Sequence, residues 1–171
     1  MRDCLCAYAV AFQLTACGDG TGSDHGDLRG AAARGSTERE DASAGCDGLG
    51  EALHPGLVRT SNGGFAFEIL ELIPETPILS QSRPGNSWRL RISDGAGAPA
   101  TGAALSVRTL MPDHGHAGPP AVGIEQAPGV YAIEDLLLPM PALYSITVIA
   151  ALPGTGQEAV DYSICISAET G

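Results

Sequence analysis

A regular alternation of apolar and polar residues constrains the fold of this chain more than any other feature. Between Trp88 and Ile92 the apolar side chains fall on one parity and two arginines on the other, which is the period of a half-buried β-strand. Similar alternation begins near Phe65, Leu105, Tyr131, Tyr144 and Val160. No stretch has the sustained 3.6-residue period and the caps of an amphipathic helix. The pattern therefore predicts an all-β domain.

The spacing of these segments indicates two packed sheets. Proline, glycine, asparagine and aspartate separate the alternating runs, as expected for turns between short strands. The runs predict an immunoglobulin-like β-sandwich of about seven strands over residues 56–171. We expect Trp88, the only tryptophan, to fill the core between the sheets.

The first residues of the chain are predicted to be a targeting segment. Residues 1–16 contain an apolar run that is too short to span a bilayer as a helix. The run ends in Leu-Thr-Ala followed by Cys17, which resembles the processing site of a bacterial lipoprotein signal peptide. That resemblance implies cleavage before Cys17 and acylation of its thiol, so that lipid chains anchor the protein without a transmembrane helix. An ordinary secretory signal and a buried helix are the alternatives.

Residues 17–55 are predicted to be a flexible acidic linker. They are rich in Gly, Ala, Ser, Asp and Glu and have few large apolar residues, so burial cannot offset the entropy of ordering them. We interpret His25 and His54, which lie in this segment, as solvated residues rather than metal ligands.

The cysteines are consistent with export. Of the five cysteines, Cys4 and Cys6 would leave with the signal peptide and Cys17 would be lipidated. Cys46 and Cys165 remain, and in an oxidising compartment an even pair favours a disulfide. Two free thiols are the alternative.

Charge and motifs exclude several classes of function. The net charge is −11, every basic residue is an arginine, and no basic face for nucleic acid is visible. The chain contains no nucleophile elbow, phosphate loop or His-Glu-x-x-His zinc motif. We therefore predict that the protein is neither an enzyme nor a nucleic-acid-binding protein.

Two short segments concentrate ligands that suit copper. Met111 is followed by Pro112, Asp113 and a His-Gly-His run that contains His114 and His116, and Met140 follows between two prolines. Thioethers favour Cu(I), whereas imidazoles bind copper in either oxidation state. Strand parity predicts that Met111 and Met140 both face inward at strand ends. The extended loop from Asp113 to Gly118 would place both histidines on one side of the chain.

The predicted copper site therefore comprises Met111, His114, His116 and Met140, with Asp113 orienting an imidazole. Each part also has a structural interpretation. A methionine at a strand end commonly fills the core, and a His-Gly-His segment is commonly a solvated turn. Only the combination of all four side chains in an exported chain points to a metal.

The same segments resemble the YtkA-like domain family, which is related to FixH-type proteins. The resemblance rests on the segment from Met111 to His116, on Gly-Val-Tyr ending at Tyr131, and on the segment from Leu138 to Tyr144. Family members are small exported or membrane-anchored β-sandwich domains associated with copper handling. The family usually has Gly at position 142 and Trp at position 144, where this chain has Ala and Tyr, and often has Met where this chain has His114. By this resemblance too, Met111, His114, His116 and Met140 are the expected ligands.

Two functions follow from these observations. The first is a lipid-anchored copper chaperone, sensor or buffer that faces the periplasm and serves a copper exporter or an oxidase assembly partner. Gly18 and Asp19 after the acylated cysteine favour the outer membrane over the inner membrane. The second is an immunoglobulin-like interaction module of the cell envelope that binds no metal.

Overall fold

The computed structural model of this protein describes Cys46 and residues 48–168. The predicted signal peptide, the acylation site at Cys17 and most of the predicted linker, with His25, lie outside these residues. The described residues form strands and no helix, so the all-β prediction is confirmed and no described helix could cross a membrane. The strands are β1 (Val58–Thr60), β2 (Ala66–Ile73), β3 (Asn86–Ser93), β4 (Ala104–Met111), β5 (His116–Ala117), β6 (Ala121–Ala127), β7 (Val130–Leu136), β8 (Ala142–Leu152) and β9 (Gly156–Ile166).

These strands form one antiparallel sheet in the order β1, β2, β3, β7, β6, β4, β8, β9, with the short β5 paired to the end of β4. The sheet curls until β1 and β9 approach each other. Where they meet, the Arg59 guanidinium lies 6.0 Å from the centre of the Tyr162 ring, and the Gly63 amide donates to Glu158 Oε2 at 3.0 Å. The curled sheet encloses one hydrophobic core.

In β3, β4, β8 and β9 the residues that form the core fall on one parity. In β3 the apolar side chains Trp88, Leu90 and Ile92 are buried, whereas the arginines between them reach solvent. In β8 buried and half-buried residues alternate through all 11 positions. Trp88 is 1% exposed and packs edge-to-face on Tyr162, with ring centroids 5.7 Å apart. Trp88 therefore fills the core, as predicted.

A β-bulge interrupts the alternation in β2. Phe67 and Ile69 are buried, but the register with β3 shifts between Ile69 and Glu71, and the next buried side chain is Leu72. A bulge adds one residue to a strand and moves the following side chains to the other parity. The period-two pattern therefore holds on each side of the bulge but not across it.

A disulfide joins Cys46 to Cys165 near the end of β9. We call Cys46 and residues 48–53 the strap. Its last residue, Leu53, belongs to the hydrophobic core. We predicted from the sequence that this segment belongs to the linker. Its described residues instead lie against the sheet, because the disulfide attaches one end and the buried Leu53 attaches the other.

Candidate metal site

The hairpin between β4 and β5 contains both predicted histidines. Met111 pairs with His116 across the hairpin, and the amides of His114 and Gly115 donate to the Met111 carbonyl at 3.1 and 2.9 Å. Gly115 has a φ of +64°, a left-handed conformation that glycine adopts without steric cost. The chain therefore turns back earlier than expected, and the predicted loop over residues 113–118 is shorter because β5 returns to pair with β4.

The two imidazoles lie side by side on the surface. The rings of His114 and His116 are nearly parallel, with centroids 6.5 Å apart and an interplanar angle of 15°, and both residues are exposed. With metal–nitrogen bonds of roughly 2 Å, an ion shared by two imidazoles keeps the ring centres within about 6 Å of each other. The observed separation of the ring centroids is slightly larger, and both rings must reorient before one nitrogen of each can reach a common ion. Their proximity comes from the turn and not from an extended chain.

Met111 lies in the core at the base of the same hairpin. It is 2% exposed, in agreement with the predicted inward parity. Residues directly opposite each other in an antiparallel pair have Cβ atoms roughly 4.5–5.5 Å apart on the same face. Because Met111 and His116 are such a pair, the Met111 side chain starts beside one of the two imidazoles but is screened from solvent.

The prediction that Met140 faces inward is wrong. Met140 is 38% exposed and precedes β8, which begins at Ala142. The parity of β8 cannot be extended back to Met140, because Pro139 and Pro141 flank it and proline does not continue a strand ladder. Met140 is therefore partly exposed to solvent, whereas Met111 is buried.

Tyr144 holds the main chain of Met140 in place. The Tyr144 hydroxyl donates to the Met140 carbonyl at 2.9 Å and accepts from the Met140 amide at 3.1 Å. The ring of Tyr144 is buried in the core, and this burial raises the pKa of its hydroxyl, against the smaller lowering effect of the bond to Met140. The phenol therefore stays protonated and keeps its donor. The sequence pattern predicts a strand from Tyr144 but does not predict this bond to Met140.

The sheet register brings the methionine and histidine segments to one end of the fold. Leu110 of β4 pairs with Ser145 of β8; Met111 is the last residue of β4, and Tyr144 is the third residue of β8. The Tyr144 hydroxyl is hydrogen-bonded to the main chain of Met140. Met111, the hairpin turn that follows it and the Met140 segment therefore lie at the same end of the sheet.

The remaining candidate ligands do not complete a metal site at this end of the sheet. Asp113 is exposed in the turn, and its role in orienting an imidazole stays a prediction. Among the described residues, no three His, Cys, Asp or Glu side chains form a group that could hold a metal ion. His54 is exposed, and its Nδ1 lies 2.9 Å from the carbonyl oxygen of Pro55. The two histidines are therefore the main candidate ligands at this turn, and any further protein ligand from the described residues would be a methionine.

Comparisons with protein-family models, with curated proteins and with solved structures found no match for this chain.

Proposed function

We propose that this protein binds copper at the β4–β5 turn, with His114 and His116 as the main ligands and Met140 as an accessible thioether. The observation that carries the proposal is the pair of exposed, nearly parallel imidazoles with ring centroids 6.5 Å apart. Imidazole binds copper in both oxidation states, whereas a thioether favours Cu(I). We therefore expect Cu(I) when the thioether takes part and Cu(II) when the imidazoles bind alone.

The accessibility of the ligands suggests how such a site is used. Closed sites with four protein ligands hold metals for structural purposes, whereas open sites leave a position for an incoming group. The exposed histidines and Met140 leave room for a ligand from another protein. Met111 is buried at the base of the turn and would become a ligand only if the turn moved. This arrangement fits a chaperone or buffer that passes copper to an exporter or to an oxidase assembly partner.

We also propose that the curled sheet is an immunoglobulin-like sandwich. In that fold the strands A, B, E and D form one sheet and C, F and G the other. The order β2, β3, β7, β6 matches A-B-E-D, and β4, β8, β9 matches C-F-G, with β1 and β5 as short additions. The bond from the Tyr144 hydroxyl at the start of β8 to the Met140 carbonyl supports this assignment, because a tyrosine corner occurs at the same place in strand F.

The proposed setting of this domain is the bacterial cell envelope. The lipoprotein-like motif at Cys17 supports a lipid anchor, and the resemblance to the YtkA-like family supports an exported copper-handling domain. The anchored domain would face the periplasm, with the outer membrane favoured over the inner membrane. A chemistry of binding and transfer requires no catalytic group, so we do not propose an enzyme.

Titration with Cu(I) against a competing chelator tests the copper proposal. The lipidated chain that is cleaved before Cys17, in a mild detergent, is expected to bind one ion, because Cys4 and Cys6, whose thiols would bind Cu(I) themselves, are then absent and the Cys17 thiol is acylated. The double variant His114→Gln/His116→Gln is expected to bind the ion at least roughly 100-fold more weakly, beyond the usual effect of changing an outer-shell partner. His54→Gln is the matched control, because it removes an exposed histidine outside the site. Equal affinity in the double variant and the control, or no stoichiometric binding by the lipidated chain without substitutions, would contradict the proposal.

The interaction module remains the second candidate because one surface favours it. Val122 and Ile124 of β6 are 65% and 61% exposed, and Ile124 pairs with Ala132 on the neighbouring β7. Neighbouring exposed apolar residues on a sheet commonly mark a contact surface. The titration separates the two candidates, because an interaction module has no copper affinity to lose when both histidines are replaced.

A further inference from the structure

Glu51 of the strap covers the free edge of β9. The Glu51 amide donates to the Ser163 carbonyl at 2.6 Å, and the Ser163 amide donates to Glu51 Oε1 at 3.0 Å. Two residues of neighbouring antiparallel strands exchange the same two bonds, except that a carbonyl takes the place of the carboxylate. Glu51 therefore replaces a partner strand at this position, and its second carboxylate oxygen pairs with Arg59. The strap therefore lies along the edge of the sheet.

This cover matters because an open strand edge is a template for pairing with another chain. In the described part of the protein, β9 is paired with β8 along all of its length, and no second strand pairs with its other side. The strap occupies that side around Ser163 and Cys165. Gly50 passes so close that a Cβ at this position would lie 2.9 Å from the Cys165 amide nitrogen.

Apart from the disulfide and the bonds of Glu51, few contacts hold the strap. Cys46 is buried, residues 48–50 are exposed, and Glu51 is half-buried. The hydrophobic core begins only at Leu53, and the ladder between β8 and β9 is complete without the strap. Segments with few buried contacts open at free energies well below that of global unfolding. The core and the sheet therefore do not depend on residues 48–52.

We propose that the Cys46–Cys165 disulfide is a redox latch, whose reduction frees Cys46 and residues 48–52 and uncovers β9 at Ser163 while the sheet stays folded. A dithiol reductant supplies two electrons and two protons. The S–S bond breaks, both cysteines become thiols, and the reductant is oxidised to its own disulfide. The latch does not rest on the copper proposal.

Opening the latch has two consequences. It exposes the main chain of β9 at Ser163, where an extended segment can pair. It also lengthens the chain that leads into the domain, since each freed residue adds up to roughly 3.5 Å of reach.

Hydrogen exchange of the full chain in a mild detergent, read by NMR, tests the latch. Addition of dithiothreitol is expected to speed exchange of the Glu51 and Ser163 amides by roughly tenfold or more, because both bonds across the strap are lost. The amides of Ile146 and Val148 in β8 are expected to keep their protection. The variant Cys46→Ser/Cys165→Ser without reductant should reproduce this pattern.

A second variant separates the latch from the bond that it holds in place. In oxidised Glu51→Ala the carboxylate is missing but the disulfide remains, so we expect faster exchange at Ser163 and unchanged exchange at the residue 51 amide. Two results would overturn the latch. Unchanged protection of both amides after reduction would mean that the strap stays in place without the disulfide, and loss of protection throughout β8 would mean that the whole domain unfolds.

Discussion

Replacement of Trp88 by alanine is expected to lower the free energy of unfolding by about 3–5 kcal/mol, the usual cost of removing a large aromatic side chain from a core. Trp88 is almost fully buried and packs edge-to-face against Tyr162, so the change leaves a cavity between β3 and β9. Guanidinium unfolding followed by far-ultraviolet circular dichroism measures the loss. Val122→Ala is the matched control, because Val122 is 65% exposed and exposed substitutions usually stay within about 0.5 kcal/mol.

The chemistry of Trp88 allows a sharper comparison. Its indole N–H has no hydrogen-bond partner among the described residues, so Trp88→Phe removes volume without breaking a hydrogen bond. We expect Trp88→Phe to cost clearly less than Trp88→Ala. If the alanine variant lost no more than the Val122→Ala control, Trp88 would not be the centre of this core.

Loss of the disulfide is the second large effect. The bond closes a loop with a sequence separation of 119 residues, and chain entropy limits its contribution to about 5 kcal/mol. The variant Cys46→Ser/Cys165→Ser should therefore unfold at lower denaturant concentration than the oxidised chain. The expected loss of unfolding free energy is smaller than this entropic limit. When the disulfide is absent, the released strap also gains conformational entropy in the folded state, which offsets part of the entropy gained by the unfolded chain.

Two outcomes of that measurement would count against this account. Equal stability of the variant and the oxidised chain would mean that the bond does not constrain the unfolded chain. A variant that fails to fold would mean that the sheet depends on the strap, in contradiction to the complete pairing of β8 with β9. A chain reduced with dithiothreitol is the control for side effects of the serines.

Periodicity predicted the strands whose two faces differ most. The arginines of β3 alternate with buried apolar residues, and β8 alternates throughout, so one parity identifies the core. Periodicity could not locate β5, which has only two residues, His116 and Ala117. Periodicity also could not predict that the strap covers the edge of β9. The Glu51 carboxylate accepts a hydrogen bond where a paired strand would use a main-chain carbonyl, and a residue that pairs in this way produces no alternating pattern.

The sequence could predict only those parts of the candidate site whose residues lie close together along the chain. The positions of His114 and His116 follow from a short hairpin, although the reversal at Gly115 was not evident from an alternating pattern. Met140 was wrongly predicted to face the core, because the alternation of β8 was extended back across Pro141. The bond from Tyr144 to Met140 could not be predicted, because the ring belongs to the core and only the hydroxyl contacts the Met140 main chain.

X-ray absorption at the copper edge, on the lipidated chain of the titration loaded with one equivalent of Cu(I), identifies the atoms bound to the ion. We expect two imidazole nitrogens and one sulfur, with the sulfur lost in Met140→Leu and the bound copper lost in His114→Gln/His116→Gln. A spectrum without imidazole scattering, or one that is the same in the double-histidine variant, would contradict a copper site at this turn.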